Sequence, residues 1–190
     1  LLGGRIVQCP KDKGEQLHPI TLSGNLAAHQ CSACDGTWVS IEDYTSWQQD
    51  LPSREIEPVP ADLDVGYVPS PKDAQGGLCP DCGSYLARAR IGVKPQFYVE
   101  RCVQCGGIWC DRGEWAVLEQ LGLHVAVEHL FTPDWQMRSR DREYADRERR
   151  ATVEKLGEEL AHQVFDLADQ LAQHPNGDFG VAYLMRRFEQ

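Results

Sequence analysis

What this sequence lacks narrows the choices first. No run of about 18 apolar residues occurs in its 190 residues, so no segment reads as a membrane-spanning helix. None of the four segments is basic: residues 1–50, 51–78 and 131–190 each carry a net charge of −3, and residues 79–130 carry −1, for a total of −10. A long polyanion would meet repulsion instead of the counterion release that drives general nucleic-acid binding, which leaves only a local patch to act. There is no His-Glu helix motif of the zinc hydrolases, no nucleophile elbow and no glycine-rich phosphate loop. Also missing is a charged start followed by an apolar core and a small-residue cleavage site, so the expected setting is a reducing, cytoplasmic one.

Cysteine, by contrast, is plentiful and patterned. Cys9, Cys31, Cys34, Cys79, Cys82, Cys102, Cys105 and Cys110 include three C-x-x-C pairs. In a reducing compartment that spacing reads as metal ligation, not as disulfides. Setting Cys9 over Cys79 brings "CPKD" over "CPDC" and "CSACDGTWVSIEDY" over "CVQCGGIWCDRGEW". Cys31 and Cys34 then match Cys102 and Cys105, Gly36 matches Gly107, and Trp38 matches Trp109. The chain therefore reads as two copies of one small unit, residues 1–50 and 79–131, joined by a proline-rich linker over 51–78 and followed by a helical tail over 132–190. Five of the eleven prolines fall in the linker, which reads either as a passive spacer or, through Val59, Leu63, Val65, Tyr67 and Val68, as a strap lying on a neighbouring surface.

In the second copy, Cys79 and Cys82 are separated by 19 residues from Cys102 and Cys105. Each C-x-x-C makes a tight turn, and two such turns can place four sulfurs tetrahedrally at about 2.3 Å from Zn(2+). Between them, "SYLARAR" (84–90) and "QFYVER" (96–101) predict two antiparallel strands, with Gly92 and Pro95 at the turn. Cys110 is left over; its counterpart is Val39, which predicts a packed thiol. In the first copy, Cys9, Cys31 and Cys34 are in place, but Asp12 stands where Cys82 would be. A carboxylate oxygen can complete a zinc shell, so Asp12 is the favoured fourth ligand, with His29 and then His18 as alternatives. Each second C-x-x-C leads toward a helix: Ser40 with Asp43, and Asp111 with Glu114, form capping-box patterns. Zinc at two sites would supply folding free energy that units of this size cannot gather from apolar burial alone.

These residues resemble a known family. "CPDCGSYL" with "ERCVQCGGIWCDRGEW" is similar to the TFIIB-type zinc ribbon found in many bacterial proteins, and matches its pattern at Cys79, Pro80, Cys82, Cys102, Cys105, Gly107, Trp109, Asp111, Gly113 and Glu114. It departs at Cys110, where the family usually has an apolar residue. The first copy resembles a diverged member that lacks the D-x-G-E helix start, and its C-P-x-D opening is a variant associated with the family, which supports Asp12 as a ligand. The resemblance implies a small zinc-dependent α+β fold of two tandem zinc ribbons, each an antiparallel strand pair followed by a short helix. The name implies a link to transcription, but a shared fold does not carry a function with it.

The last third falls outside the resemblance. Thr132, Pro133 and Asp134 predict a helix start. Six arginines against four acids between residues 138 and 150 read as a solvated face laced by pairs such as Glu143 with Arg147 and Asp146 with Arg150, or as a phosphate-contacting one. Val153, Leu156, Leu160, Val164, Leu167 and Leu171 form one apolar stripe, so a single helix over 133–173, about 60 Å long, is expected. "HPNG" breaks it, and Val181, Leu184, Met185 and Phe188 give a closing helix that completes a helical hairpin, or meets a partner or a second copy. The favoured function is a non-catalytic zinc-binding scaffold that docks a protein partner through its ribbons and tail. The alternatives are a nucleic-acid-binding or transcription-associated protein, using Tyr85, Phe97 and Tyr98 as exposed strand aromatics, and a metal-dependent hydrolase at the first copy.

Overall fold

The computed structural model describes residues 8–52, 56–60 and 63–188, and the chain divides into two compact units, Leu1–Glu143 and Tyr144–Gln190. In the first unit six strands form one antiparallel sheet: β1 (Leu17–Thr21), β2 (Ala27–Cys31), β3 (Thr37–Val39), β4 (Leu86–Ile91), β5 (Phe97–Cys102) and β6 (Ile108–Cys110). Their order is β1-β2-β3-β6-β5-β4, so each sequence copy supplies three neighbouring strands and the two sets join at β3–β6. The two strands expected in the second copy are present, shifted by one to two residues. The short third strand of each copy, β3 and β6, was not foreseen.

That third strand exists because of the seam it makes. Trp38 and Trp109 are cross-strand partners, and both are buried. A Cβ placed on Gly36 would fall inside the ring of Trp109, and one placed on Gly107 would fall inside the ring of Trp38. Each copy's glycine thus leaves the space that the other copy's tryptophan fills. The repeated G-x-W is a device for joining the halves as well as a property of each half.

Alternation along the strands then divides the side chains between two faces. Ala28, Val39, Ala89, Val99, Ile108 and Cys110 point toward α1 (Ile41–Gln49), α2 (Glu114–Gln120) and a 3₁₀ segment, His124–Phe131, and form the larger core with Tyr44, Leu118, Leu130 and Trp135. Cys31, Trp38, Cys102 and Trp109 point the other way and cluster with Cys9, Leu17, Cys79 and Leu86. Burying such aliphatic and aromatic side chains contributes roughly 1.5–3 kcal/mol each.

Helix starts follow the expected chemistry with one correction. Ser40 Oγ accepts from the Asp43 amide at 3.1 Å and donates to Asp43 Oδ2 at 2.6 Å, which fixes the start of α1. In the second copy only half of the capping box forms: Glu114 Oε2 accepts from the Asp111 amide at 2.8 Å, while Asp111 Oδ1 accepts instead from Trp109 Nε1 at 2.9 Å. Asp111 is drawn away because the seam buries an indole N–H that needs an acceptor.

Described residues of the proline-rich stretch pack on the sheet unit. Ile56 is buried in the larger core, Val59, Val65 and Tyr67 pack against it, and the Tyr67 ring meets Phe97 with centroids 5.3 Å apart. Toward the end of the stretch, a turn over residues 70–75 meets a buried ionic group. Lys11, from the first copy, donates to Glu100 Oε1 of the second at 2.8 Å and to the carbonyls of Lys72 and Gln75, and Arg88 Nε lies 3.3 Å from the same Glu100 oxygen.

Helix α3 (Pro133–Leu156) starts as predicted, with Thr132 Oγ1 accepting from the Trp135 amide at 3.3 Å. The expected single helix over 133–173 does not form. Gly157, at φ +79°, interrupts it, and α4 (Glu158–Gln173) begins afresh. That backbone region costs glycine little and other residues much. In the second unit α5 (Gly177–Phe188) packs back on α4, and Gly177 and Gly180 permit the close approach at Leu171. The Arg149 guanidinium lies 3.9 Å over the Phe165 ring. Among the described residues no helix is long and apolar enough to cross a membrane.

The seam is testable. Gly107→Ala is expected to lower stability by about 1–3 kcal/mol in denaturant unfolding, as over-packing does, and Gly36→Ala likewise. Trp109→Phe should recover part of the Gly36→Ala loss, because the smaller ring vacates the clash. A Gly107→Ala protein that unfolds like the parent contradicts the reciprocal clasp.

Candidate metal centres

The four tight turns are built alike. The amides of Cys9, Cys31, Cys79 and Cys102 donate to the carbonyls of Glu15, Gly36, Ser84 and Gly107 at 2.7–2.9 Å, closing each loop at its neck. Amides within the loops turn toward sulfur: Asp12 N–H to Cys9 Sγ at 3.2 Å, Asp81 N–H to Cys79 Sγ at 3.4 Å and Cys105 N–H to Cys102 Sγ at 3.4 Å. Such donors favour the thiolate, which is the form that binds metal.

In the second copy the turns bring Cys79, Cys82, Cys102 and Cys105 together, with all four sulfurs within 4.8 Å of one another. The Cys79–Cys105 and Cys82–Cys102 sulfur pairs are each 3.4 Å apart. Tetrahedral zinc with bonds of about 2.3 Å needs sulfurs about 3.8 Å apart, whereas a disulfide needs about 2.05 Å. The spacing therefore fits four ligands around one ion, and all eight cysteines are free. Burial pushes the Cys79 thiol well up, and that of Cys105 as well, while the Ser84 hydroxyl and amide draw Cys82, at the rim, down to about 6. Several buried thiols in one place ionise together only around a cation, so the donor set calls for a divalent ion.

In the first copy, Cys9, Cys31 and Cys34 gather in the same way, with Cys9 and Cys34 sulfurs 3.6 Å apart. Burial raises both of these thiols. Among the described residues, no fourth donor lies within 4.8 Å of all three sulfurs. Asp12 Oδ2 is held by Lys72 Nζ at 2.8 Å. Asp12, and behind it the Cys34 and Cys9 sulfurs, raise the ammonium of Lys72 above its ordinary range. His29, two residues before Cys31 on β2, has a buried Nδ1 with no hydrogen-bond partner among the described residues, and His18 lies exposed on β1. Both cysteine clusters fit zinc.

Cys110 stays outside both clusters. It is buried on the helix side of the sheet opposite Thr37, and burial holds its thiol up. A third group, Asp73, Asp111 and Glu114, brings three carboxylates within 4.8 Å. Its members have protein partners: Asp73 pairs with Arg88 at 3.3 Å, Asp111 accepts from Trp109, and Lys11 Nζ lies 3.9 Å from Asp111 Oδ2. Burial, followed by the charge of Asp111, pushes Glu114 up to about 9, so it keeps its proton near neutrality. Sequence reasoning passed over Lys11, Lys72, Asp73 and Glu100. The one available signal was the lysine inside "CPKD", a charge in a turn otherwise given over to ligation.

Two outcomes follow. Cys102→Ser should cost the chain one equivalent of bound zinc by elemental analysis, with loss of the second copy's cooperative melting, whereas Cys110→Ser should leave the metal count unchanged. The Glu114 carboxyl, raised in the fold, binds its proton more tightly folded than unfolded. Its contribution is therefore intact below about pH 4.5 and declines as pH rises toward 9, by at most about 1.4 kcal/mol per pH unit. Glu114→Gln should remove that decline, so the stability difference between variant and parent should widen steadily from pH 6 to 9. A constant difference contradicts the buried, protonated carboxyl.

Comparison with known proteins bears on the first copy. Residues 8–50 match the model of a family described as transcription factor zinc-finger. The match thus falls on the copy with Asp12 in place of a fourth cysteine. No curated protein and no solved structure matches the chain.

Proposed function

We propose that the protein is a non-catalytic zinc scaffold: two tandem zinc ribbons, over residues 1–50 and 79–131, fused into one sheet, with a tail that docks a protein partner or a second copy. A four-thiolate shell is closed and leaves no coordination position for water or substrate, which supports a structural role for the second centre. The observation that carries the docking role is the apolar surface of the second unit. Leu160, Val164 and Leu167 on α4 are each more than 40% exposed, and Phe188 on α5 is 86% exposed, even though the two helices pair. Apolar surface of this extent on a helical face is a mark of interaction sites.

The nucleic-acid reading has its own support in the family description matched by residues 8–50. Its sequence basis is narrower than expected. Phe97 is fully buried in the core instead of being exposed, because its strand position points to the helix side. Tyr98 lies under the Arg88 guanidinium at 4.2 Å, and Arg138 pairs with Asp134 at 3.1 Å. Tyr85 alone of the three aromatics is widely exposed, at 81%.

The scaffold reading is tested in the full chain with Leu160→Asp combined with Leu167→Asp. The parent should associate, either with itself in sedimentation or with a captured protein, and the double variant should lose that association while keeping its zinc. Salt-dependent binding to RNA or DNA that the double variant retains, with no protein association in the parent, would replace the scaffold reading with its rival.

A further inference from the structure

The two centres differ in one position, and the structure supplies a partner for that position from an unexpected place. Asp12 is the counterpart of Cys82, with its amide on Cys9 Sγ at the neck of the first turn. Only one of its carboxylate oxygens is engaged: Oδ2 accepts from Lys72 at 2.8 Å, and Oδ1 has no partner among the described residues. Lys72 is itself held. Its amide donates to Ser70 Oγ at 3.1 Å, its carbonyl accepts from the Gln75 amide at 2.9 Å, and Lys11 donates to the carbonyls of both Lys72 and Gln75. Lys11 and Lys72 therefore tie the first turn and the 70–75 turn together in opposite directions.

We infer that Lys72 is a positioning residue of the first metal centre, holding one oxygen of Asp12 so that the other completes the set begun by Cys9, Cys31 and Cys34. The inference rests on the zinc reading of that cluster. Metal-bound carboxylates are commonly oriented by a second partner, whose loss costs roughly 10–100-fold in metal affinity. The charges agree: three thiolates and a carboxylate around a dication sum to −2, and the ammonium of Lys72 halves that. Asp12, resting on Lys72, stands outside the group formed by the three sulfurs, so closing the set takes a rotation of the Asp12 side chain. On this account the proline-rich segment is a working part of the first centre.

The test uses the full chain, with Co(II) and Zn(II) titrations against a chelator, in which the second centre serves as an internal control. The parent should bind two metals. Lys72→Met should weaken one of them roughly 10–100-fold and leave the other unchanged, Lys72→Arg should recover most of the loss, and Lys13→Met, which removes a neighbouring cation, should have no effect. Asp12→Ala should change the Co(II) absorption of the weaker site. Asp12→Cys should make that site insensitive to Lys72→Met, an outcome that a purely structural role for Lys72 does not produce. Two bound metals with unaltered affinity in Lys72→Met, or an unaltered Co(II) spectrum in Asp12→Ala, overturns this inference alone. Absence of metal from the parent overturns the zinc reading and this inference together.

Discussion

The convergence of thiols at the necks of four tight turns is the constraint on which the rest of the structure depends. Seven sulfurs are brought into two clusters on one side of a sheet, most of them buried, and burial alone would keep such thiols protonated and the turns unsupported. A divalent ion inverts that balance by making the thiolate the favoured form and by turning sulfur proximity into folding free energy. The strands, the seam and the strap are arranged around this requirement.

The two centres are joined by more than adjacency. Trp38 and Trp109 lie in the same cluster of side chains as the cysteines of both copies, and each depends on a glycine of the other copy for its place. Lys11 leaves the first turn to neutralise Glu100 in the second copy, inside a site with almost no solvent contact. A buried pair of this kind contributes modestly when intact, but breaking it leaves an uncompensated charge. An aromatic seam and an ionic strut thus tie the two copies together.

How much of this was legible depended on the range of the interaction. The second cluster is spelled out locally, since C-P-D-C and C-V-Q-C each make their turn from their own residues, and the first cluster followed by superposing the repeat. Ser40 with Asp43, and Thr132 before α3, are likewise contacts across three residues. The reciprocal clasp was not legible, because nothing in G-x-W says that the space beside the glycine belongs to a tryptophan some 70 positions away. Lys11 and Glu100 are 89 positions apart, and no periodicity links them. The break at Gly157 was overridden by the leucine stripe that runs through it; periodicity records which side chains share a face but not where one glycine adopts a conformation closed to other residues. Phe97 was misplaced for a related reason: strand alternation sets which residues share a face, but only the packed helices decide which face is inside.

The central claim is that these cysteine clusters hold zinc mainly through sulfur. The most direct measurement is X-ray absorption at the zinc edge on the purified full chain. The account predicts a shell dominated by sulfur at about 2.3 Å, with a minor contribution from oxygen near 2.0–2.2 Å. A shell made of nitrogen and oxygen, or a protein that folds fully with no metal bound, would contradict it.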